Sequence, residues 1–271
     1  MDKRPIGVFD SGLGGITAVH QLKKLMPHED IVYFGDTSRV PYGTRSRETI
    51  QKYTAQDIRF LLSKDVKMVL AACGTVSTNL SQPLIDSLHV PFTGVLLPAA
   101  QAACAATSTG RIGVLATSAS IKSGAYGKAI RNIIHNPKII GKACPLFVPL
   151  IENGYVDREN PITTAIAREY LEPVMAEKVD TLILGCTHYP IIKALIGDLV
   201  GPDIRLIDPG KEAARSVQAF LTQSRMLNDQ EGPGQCHYYV SDDVESFAQN
   251  AGVFLEESIL GDVEKIDIDQ Y

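Results

Sequence analysis

Two short stretches, far apart in the chain, carry the same pattern. "LAACGTVST" at Leu70–Thr78 and "LILGCTHYP" at Leu182–Pro190 are apolar runs that stop at a cysteine, with a threonine within two residues. Ahead of each lies a second shared stretch, "RPIGVFDSG" at Arg4–Gly12 and "GRIGVLATS" at Gly110–Ser118. From Ile6 to Ile112 the displacement is 106 positions, and from Cys73 to Cys186 it is 113. Either pair alone reads as a strand–turn–helix signal recurring by chance. Both together, in the same order and at nearly one offset, read as two similar halves.

The rest of the pattern says what those halves are. Ile6–Phe9, Ile31–Phe34, Lys67–Ala72 and Phe92–Val95 read as strands. Between them Ile16–Met26, Glu48–Leu62 and Val76–Leu88 read as helices. The alternation resumes with Ile112–Ala116, a helix near Ser120–Ile134, a long helix Ile162–Met175, and strands Thr181–Leu184 and Ile204–Ile207. Strands alternating with helices predict an α/β fold with largely parallel sheets. Two such lobes, related by a pseudo-two-fold, would turn their strand ends toward a shared cleft, and open parallel sheets bind ligands beyond those ends. The helix Lys211–Leu221, the strand Cys236–Val240 and a final helix have no counterpart in the repeat. They are expected to return to the first lobe, giving 1–97 with 209–271 as one lobe and 98–208 as the other.

Composition narrows the function. With 271 residues, 45% apolar and 21% charged, the chain can build a sizeable core. Its net charge of −5 argues against a nucleic-acid partner. The apolar runs are too short to cross a bilayer, and "MDKRPIGVFD" has no signal-peptide core, so a cytoplasmic protein without membrane contact is expected. Its five cysteines are odd in number and widely spaced, against a disulfide framework. Cys186 and His188 make only a C-x-H pair, too few ligands for a metal site. Cys104, Cys144 and Cys236 read as small buried hydrophobes.

The chemistry then rests on the paired thiols. A cysteine at the end of a strand, where a helix begins, meets backbone amides that favour thiolate. Two such thiols facing one ligand suit removal of a proton from one face of a carbon and return of a proton to the other. One sulfur must start as thiolate and the other as thiol. The proton beside a carboxylate is so weakly acidic that electrostatic support for the carbanion dominates the requirement. Asp10 and Ser11 after the first strand, Asp36 and Thr37 after the second, Glu152, and His188 stand where they could lend that support. Each also has a plain structural reading: Asp10 or Ser11 as a helix cap, Asp36 as an Asx-turn residue. The loop "DSGLGG" departs from a dinucleotide fingerprint, because Thr17 replaces the third glycine and Asp10 would repel a pyrophosphate. Its glycines read as letting backbone approach a small ligand closely.

Taken together, "IGVFDSGLGG", "YFGDTSRVPYG", "ACGTVS" and "LGCTHYP", in this order, resemble the glutamate racemase family from Ile6 to about Gly210. The resemblance implies two α/β lobes with the active site between them, no cofactor, and interconversion of L- and D-glutamate to supply D-glutamate for bacterial peptidoglycan. It implies catalytic roles for Cys73 and Cys186, with Asp10, Asp36, Glu152 and His188 assisting proton transfer. It implies substrate contacts from Asp10, Ser11, Tyr42, Gly43, Thr75, Thr187 and His188. Gly74 stands where the family usually has asparagine, so contact there would fall to its backbone or to water. Family members often form homodimers, and the same is expected here. The rival readings are a racemase of aspartate or another acidic amino acid, and a non-catalytic two-lobed amino-acid-binding protein. A decarboxylase of the superfamily needs one thiol, not two, and a thiol redox protein would want a local dithiol.

Overall fold

A computed structural model describes residues 1–255 and 257–271. Among the described residues ten strands form two sheets. In chain order they are β1 (Ile6–Asp10), β2 (Ile31–Gly35), β3 (Met68–Ala71), β4 (Phe92–Gly94), β5 (Arg111–Ala116), β6 (Lys138–Ala143), β7 (Thr181–Leu184), β8 (Arg205–Ile207), β9 (Cys236–Val240) and β10 (Val263–Lys265). The six-stranded sheet runs β10-β9-β2-β1-β3-β4 and the four-stranded sheet β6-β5-β7-β8. Every neighbouring pair is parallel.

The repeat is visible in this order. β2-β1-β3-β4 and β6-β5-β7-β8 are the same topology, and the register repeats as well. Ile6 pairs with Met68 and Ile112 pairs with Thr181, so the strand pairs keep the displacements of 106 and 113 seen in the sequence. The tail adds β9 beside β2 and β10 beside β9, and so extends the first sheet.

Both faces of each sheet are covered, which is why the strands read as short unbroken apolar runs. On β1–β3, Ile6, Val8, Ile31, Tyr33, Met68 and Leu70 face one core. The alternate residues Phe9, Val32, Phe34, Val69 and Ala71 face the other. In the second sheet Leu115, Leu182 and Leu184 pack on one side, and Ile112, Val114 and Ile183 on the other. The main helices are capped as their sequences require. The side chains of Ser46, Asn160 and Asp208 accept backbone N–H groups at the starts of Arg47–Ser63, Pro161–Met175 and Pro209–Gln223.

Two expected helices are broken. Val76–Leu88 becomes Gly74–Asn79 and Gln82–Asp86, parted at Leu80, whose ψ of 148° leaves the helical region. Asn79 Nδ2 turns back to the Thr75 carbonyl at 2.8 Å, and Pro83 opens the second piece. Ser120–Ile134 becomes Ser118–Ser123 and Ala125–Arg131, because Gly124 takes φ 65° and ends the first. Elements additional to the sequence reading include β6, β10, Leu96–Ala106, Phe147–Glu152 and Lys193–Val200. Leu96–Ala106 runs across the expected lobe boundary at 97/98 and packs Ala99, Ala103 and Cys104 against Ile112 and Val114. Among the described residues, no helix is long and apolar enough to cross a membrane.

Candidate active site

β1, β3, β5 and β7 end toward one another, and their ends carry the polar residues. Cys73 lies just past β3, and Cys186 just past β7. Both are buried, at 4% and 6% exposure, yet both line one cavity of about 380 Å³. From the first lobe Ser11, Tyr42, Gly43, Gly74 and Thr75 join Cys73 in its wall. From the second, Glu152, Thr187 and His188 join Cys186.

The two thiols sit in opposite surroundings. Cys73 donates to Ser11 Oγ at 3.5 Å. Burial pushes the Cys73 thiol up, and the negative charge of Asp10 pushes it further. The hydrogen bonds from Ser11 and from the Val76 N–H oppose this without prevailing. The expected lowering by helix amides is therefore reversed at Cys73. At Cys186 the helix is absent altogether. A 3₁₀ turn covers Tyr189–Ile192, and the α-helix starts only at Lys193. A histidine stands there instead. His188 Nδ1 is 3.8 Å from the Cys186 sulfur, and its Nε2 is 3.0 Å from Glu152 Oε1. Burial favours neutral His188, but the hydrogen bonds to Cys186 and Glu152 outweigh it and raise its pKa to about 10.

Asp10 is fully buried behind the cavity wall. Its Oδ2 accepts the Gly12 N–H at 3.1 Å, and its Oδ1 accepts the Thr187 hydroxyl across the cleft at 3.4 Å. Thr75 and Thr117 pair their hydroxyls across the cleft at 3.0 Å.

Asp36 is elsewhere. It takes Arg39 Nε at 2.6 Å and the Ser241 hydroxyl at 2.8 Å, and Tyr42 donates to it in a short hydrogen bond. Asp57 Oδ2 lies 3.2 Å from the same phenolic oxygen. The Asp57 carboxyl is held well above the usual carboxylate range, first by burial and then by the Asp36 charge. Asp36, expected to assist proton transfer, is thus shut behind Tyr42 and forms no part of the cavity wall.

Residues 17–217 match the sequence profile of the family described as Asp/Glu/Hydantoin racemase. The glutamate racemase of Geobacter metallireducens is 42% identical over 269 residues, covering 99% of this chain and 98% of that one. The solved glutamate racemase of Francisella tularensis, in complex with D-glutamate, is 37% identical and superposes with a TM-score of 0.92 over 100% of both chains. The enzyme of Thermus thermophilus, in complex with β-chloro-D-alanine, is also 37% identical, with a TM-score of 0.89 over 100% of both chains. The chain belongs to the glutamate racemase family. It is an isomerase, an amino-acid racemase.

Several residues of the racemase's cavity wall went unnamed in the sequence reading. Thr117 and Ser118 line it, and the repeat could have found them, since Ser11 displaced by 106 positions is Thr117. Cys144, read as a packing residue, is indeed buried in the second core, but it also lines the cavity as a third thiol. It follows β6 directly, as Asp36 follows β2, a correspondence that shows only once β6 is in place. Val40, Pro41, Val148 and Pro149 give the cavity an apolar side; the first two lie within the quoted "YFGDTSRVPYG" but were given no role there. The glycine loop was expected to approach ligand: Gly12 lines the cavity, while Gly14 lies against Thr187 and His188 of the other lobe.

Proposed function

We propose that this racemase interconverts L- and D-glutamate without a cofactor, by proton transfer between two thiols, and so supplies D-glutamate for peptidoglycan. The observation that carries the reading is the meeting of Cys73 and Cys186, one from each lobe, in a single cavity. The D-glutamate bound by the Francisella relative supports glutamate as the substrate. We take the lobes as 1–97 with 209–271, and 98–208.

The surroundings assign the starting roles. Cys186, whose sulfur faces protonated His188, is assigned the part of base toward L-glutamate; Cys73, whose thiol is pushed up by burial and then by Asp10, the part of acid. The Cys186 sulfur takes the α-proton of L-glutamate, and the C–H bonding pair stays on the α-carbon, spread into the adjacent carboxylate. That carbon then takes the Cys73 proton on its opposite face. D-Glutamate leaves with Cys186 as thiol and Cys73 as thiolate, and the reverse reaction starts from that state. His188 with Glu152, and Asp10 on the other side, are the groups near enough to help return each sulfur to its starting state.

Incubation with L-glutamate in deuterated water, followed by proton NMR and chiral chromatography, tests the reading. A racemase of this type loses the α-proton signal and accumulates the D-form. A protein that binds without catalysis exchanges nothing, and exchange on aspartate in preference to glutamate would move the assignment to the rival substrate.

A further inference from the structure

Tyr33 lies behind the cavity wall and carries a hydroxyl that packing does not call for. It stands on β2 opposite Val8 of β1 and is fully buried. Its ring stacks on Phe247 at 5.9 Å between centroids and tilts against Tyr238 at 6.2 Å. Phenylalanine would make those contacts equally well. A phenol oxygen taken out of water costs stability unless it is hydrogen-bonded. Here it donates to the Gly12 carbonyl at 2.7 Å. Burial, then the charges of Asp10 and Cys73, hold the phenol well above its usual range, so it stays a donor.

Gly12 lines the cavity beside Ser11. Its N–H donates to Asp10 Oδ2 at 3.1 Å and its carbonyl accepts from Tyr33, so the residue is held on both sides. The fold leaves room for the second bond: a Cβ on Gly35 would stand 2.6 Å from the Gly12 carbonyl oxygen. What this loop serves is Cys73, whose thiol donates to Ser11 Oγ at 3.5 Å. Burial and then Asp10 push that thiol up, and the hydrogen bonds from the Ser11 hydroxyl and N–H pull it back. A hydroxyl can accept from a thiol and donate to a thiolate, so Ser11 suits the sulfur in both states. Among the described residues Ser11 has no hydrogen-bond partner besides Cys73, so its place is set through Asp10 and Gly12.

We infer that Tyr33 is a positioning residue: its hydroxyl fixes the Gly12 carbonyl and through it sets Ser11 against the Cys73 sulfur. The inference rests on the two-thiol reading for its effect on rate, though not for its geometry. Cys186 faces His188 on the other lobe and stands outside this hold. Removing the hydroxyl therefore harms the chemistry of one sulfur and spares the other. Racemisation needs both sulfurs and feels the loss. Elimination from a β-chloro amino acid needs one proton removed by one sulfur, and feels it only where that sulfur is Cys73.

The test is Tyr33→Phe, which keeps the ring and its stacking. Elimination from the β-chloro enantiomer that depends on Cys73, assigned as the D-form, should slow by about 10-fold, the worth of one hydrogen bond. Elimination from the other enantiomer should change by less than about 2-fold, and racemisation should slow with the first. Ser11→Ala combined with Tyr33→Phe should lose less than the product of the two single losses, because the phenol acts through the Ser11 loop. Tyr238→Phe removes a buried phenol of the same core whose oxygen has no hydrogen-bond partner among the described residues, and should leave the ratio of the two eliminations unchanged. Equal rates of change for both enantiomers in Tyr33→Phe, a shifted ratio in Tyr238→Phe, or multiplicative losses with Ser11→Ala overturns the inference. Crystal structures of Tyr33→Phe and of the unsubstituted protein give a readout free of turnover. The Ser11 Oγ–Cys73 Sγ separation should lengthen from 3.5 Å, and an unchanged separation overturns the inference whatever the rates. If Cys73→Ala stops elimination from neither enantiomer, the two-thiol reading fails instead, and that separation still decides the part of Tyr33.

Discussion

His188 Nε2 lies 3.0 Å from Glu152 Oε1, while Nδ1 of the same ring faces the Cys186 sulfur at 3.8 Å. The ring is 5% exposed and has an acceptor on either side. A protonated imidazole can donate to both, whereas a neutral one can donate to only one. That is why the ring stays charged despite its burial. On the other lobe Cys73 faces Asp10, a charge of the opposite sign. The near-symmetric fold thus gives its two thiols unlike charged neighbours, a histidine beside Cys186 and a carboxylate beside Cys73.

The pH dependence follows from His188. Its pKa rises from 6.5 to about 10 in the folded protein. A raised pKa contributes stability that is complete below about pH 6.5 and is lost as pH climbs toward 10. Turnover of L-glutamate should show a basic limb as well, because losing the His188 proton removes the positive charge beside the Cys186 sulfur. Glu152→Gln takes away one cause of the shift and should bring the limb down by about one unit. Profiles of kcat/KM against pH for both proteins check this; an unmoved limb in the variant is the result that counts against it.

Thiol reactivity gives a second readout. Iodoacetamide at about pH 7.5 should modify Cys186 before Cys73, because only the thiolate reacts and burial, then Asp10, push the Cys73 thiol up. Asp10→Asn removes the charge that raises the Cys73 thiol and should speed modification of Cys73 by about 10-fold for each unit its pKa falls. Peptide mass spectrometry distinguishes the sites. Cys73 reacting first in the unsubstituted protein would contradict the assigned starting state.

How far the sequence could be read depends on where each residue's partners lie. The strands were legible because burial on both faces leaves apolar runs such as Thr181–Leu184, and the repeat survived in both topology and register. Cys73, Cys186 and His188 were legible because strand ends carry function in such folds. Asp36 occupies an equivalent strand end and still faces away, because Arg39, Tyr42 and Ser241 surround it. Those contacts reach as far as residue 241, and no local pattern reports them.

Asp36 should accordingly matter more to stability than to chemistry. Asp36→Ala leaves Arg39 Nε and the Ser241 hydroxyl without their acceptor, while the other Arg39 nitrogens keep Gln56 and Asp57 and Tyr42 keeps only Asp57. Loss of a charged, nearly buried hydrogen-bond acceptor costs about 2–3 kcal/mol. For a chain of this size that lowers Tm by roughly 5–10 °C. Activity below the unfolding transition should fall by less than about 10-fold, beneath the 10²–10⁴-fold typical of a general acid or base. Differential scanning calorimetry with kinetics at a permissive temperature separates the two effects. A collapse of kcat with unchanged Tm would restore Asp36 to the proton path.

The last test divides the labour of the two cysteines. If one sulfur removes the proton and the other returns one, neither completes the reaction alone. Cys73→Ala and Cys186→Ala should each lose racemisation by several orders of magnitude, and the double variant should be little worse, because residues that act as a unit are strongly non-additive. Serine is nearly as severe, since a hydroxyl is a far weaker acid than a thiol and supplies no base near neutral pH. Elimination from a β-chloro amino acid needs only one abstraction and should survive in each single variant. Each variant should then prefer the enantiomer whose α-proton faces its remaining sulfur. Cys186 is assigned the L-face and Cys73 the D-face, so Cys73→Ser should favour the L-analogue and Cys186→Ser the D-analogue. Interchanged preferences would reverse the assignment of faces alone. A common preference in both variants would mean that the sulfurs do not stand on opposite sides of one carbon, and the two-thiol mechanism would go with it.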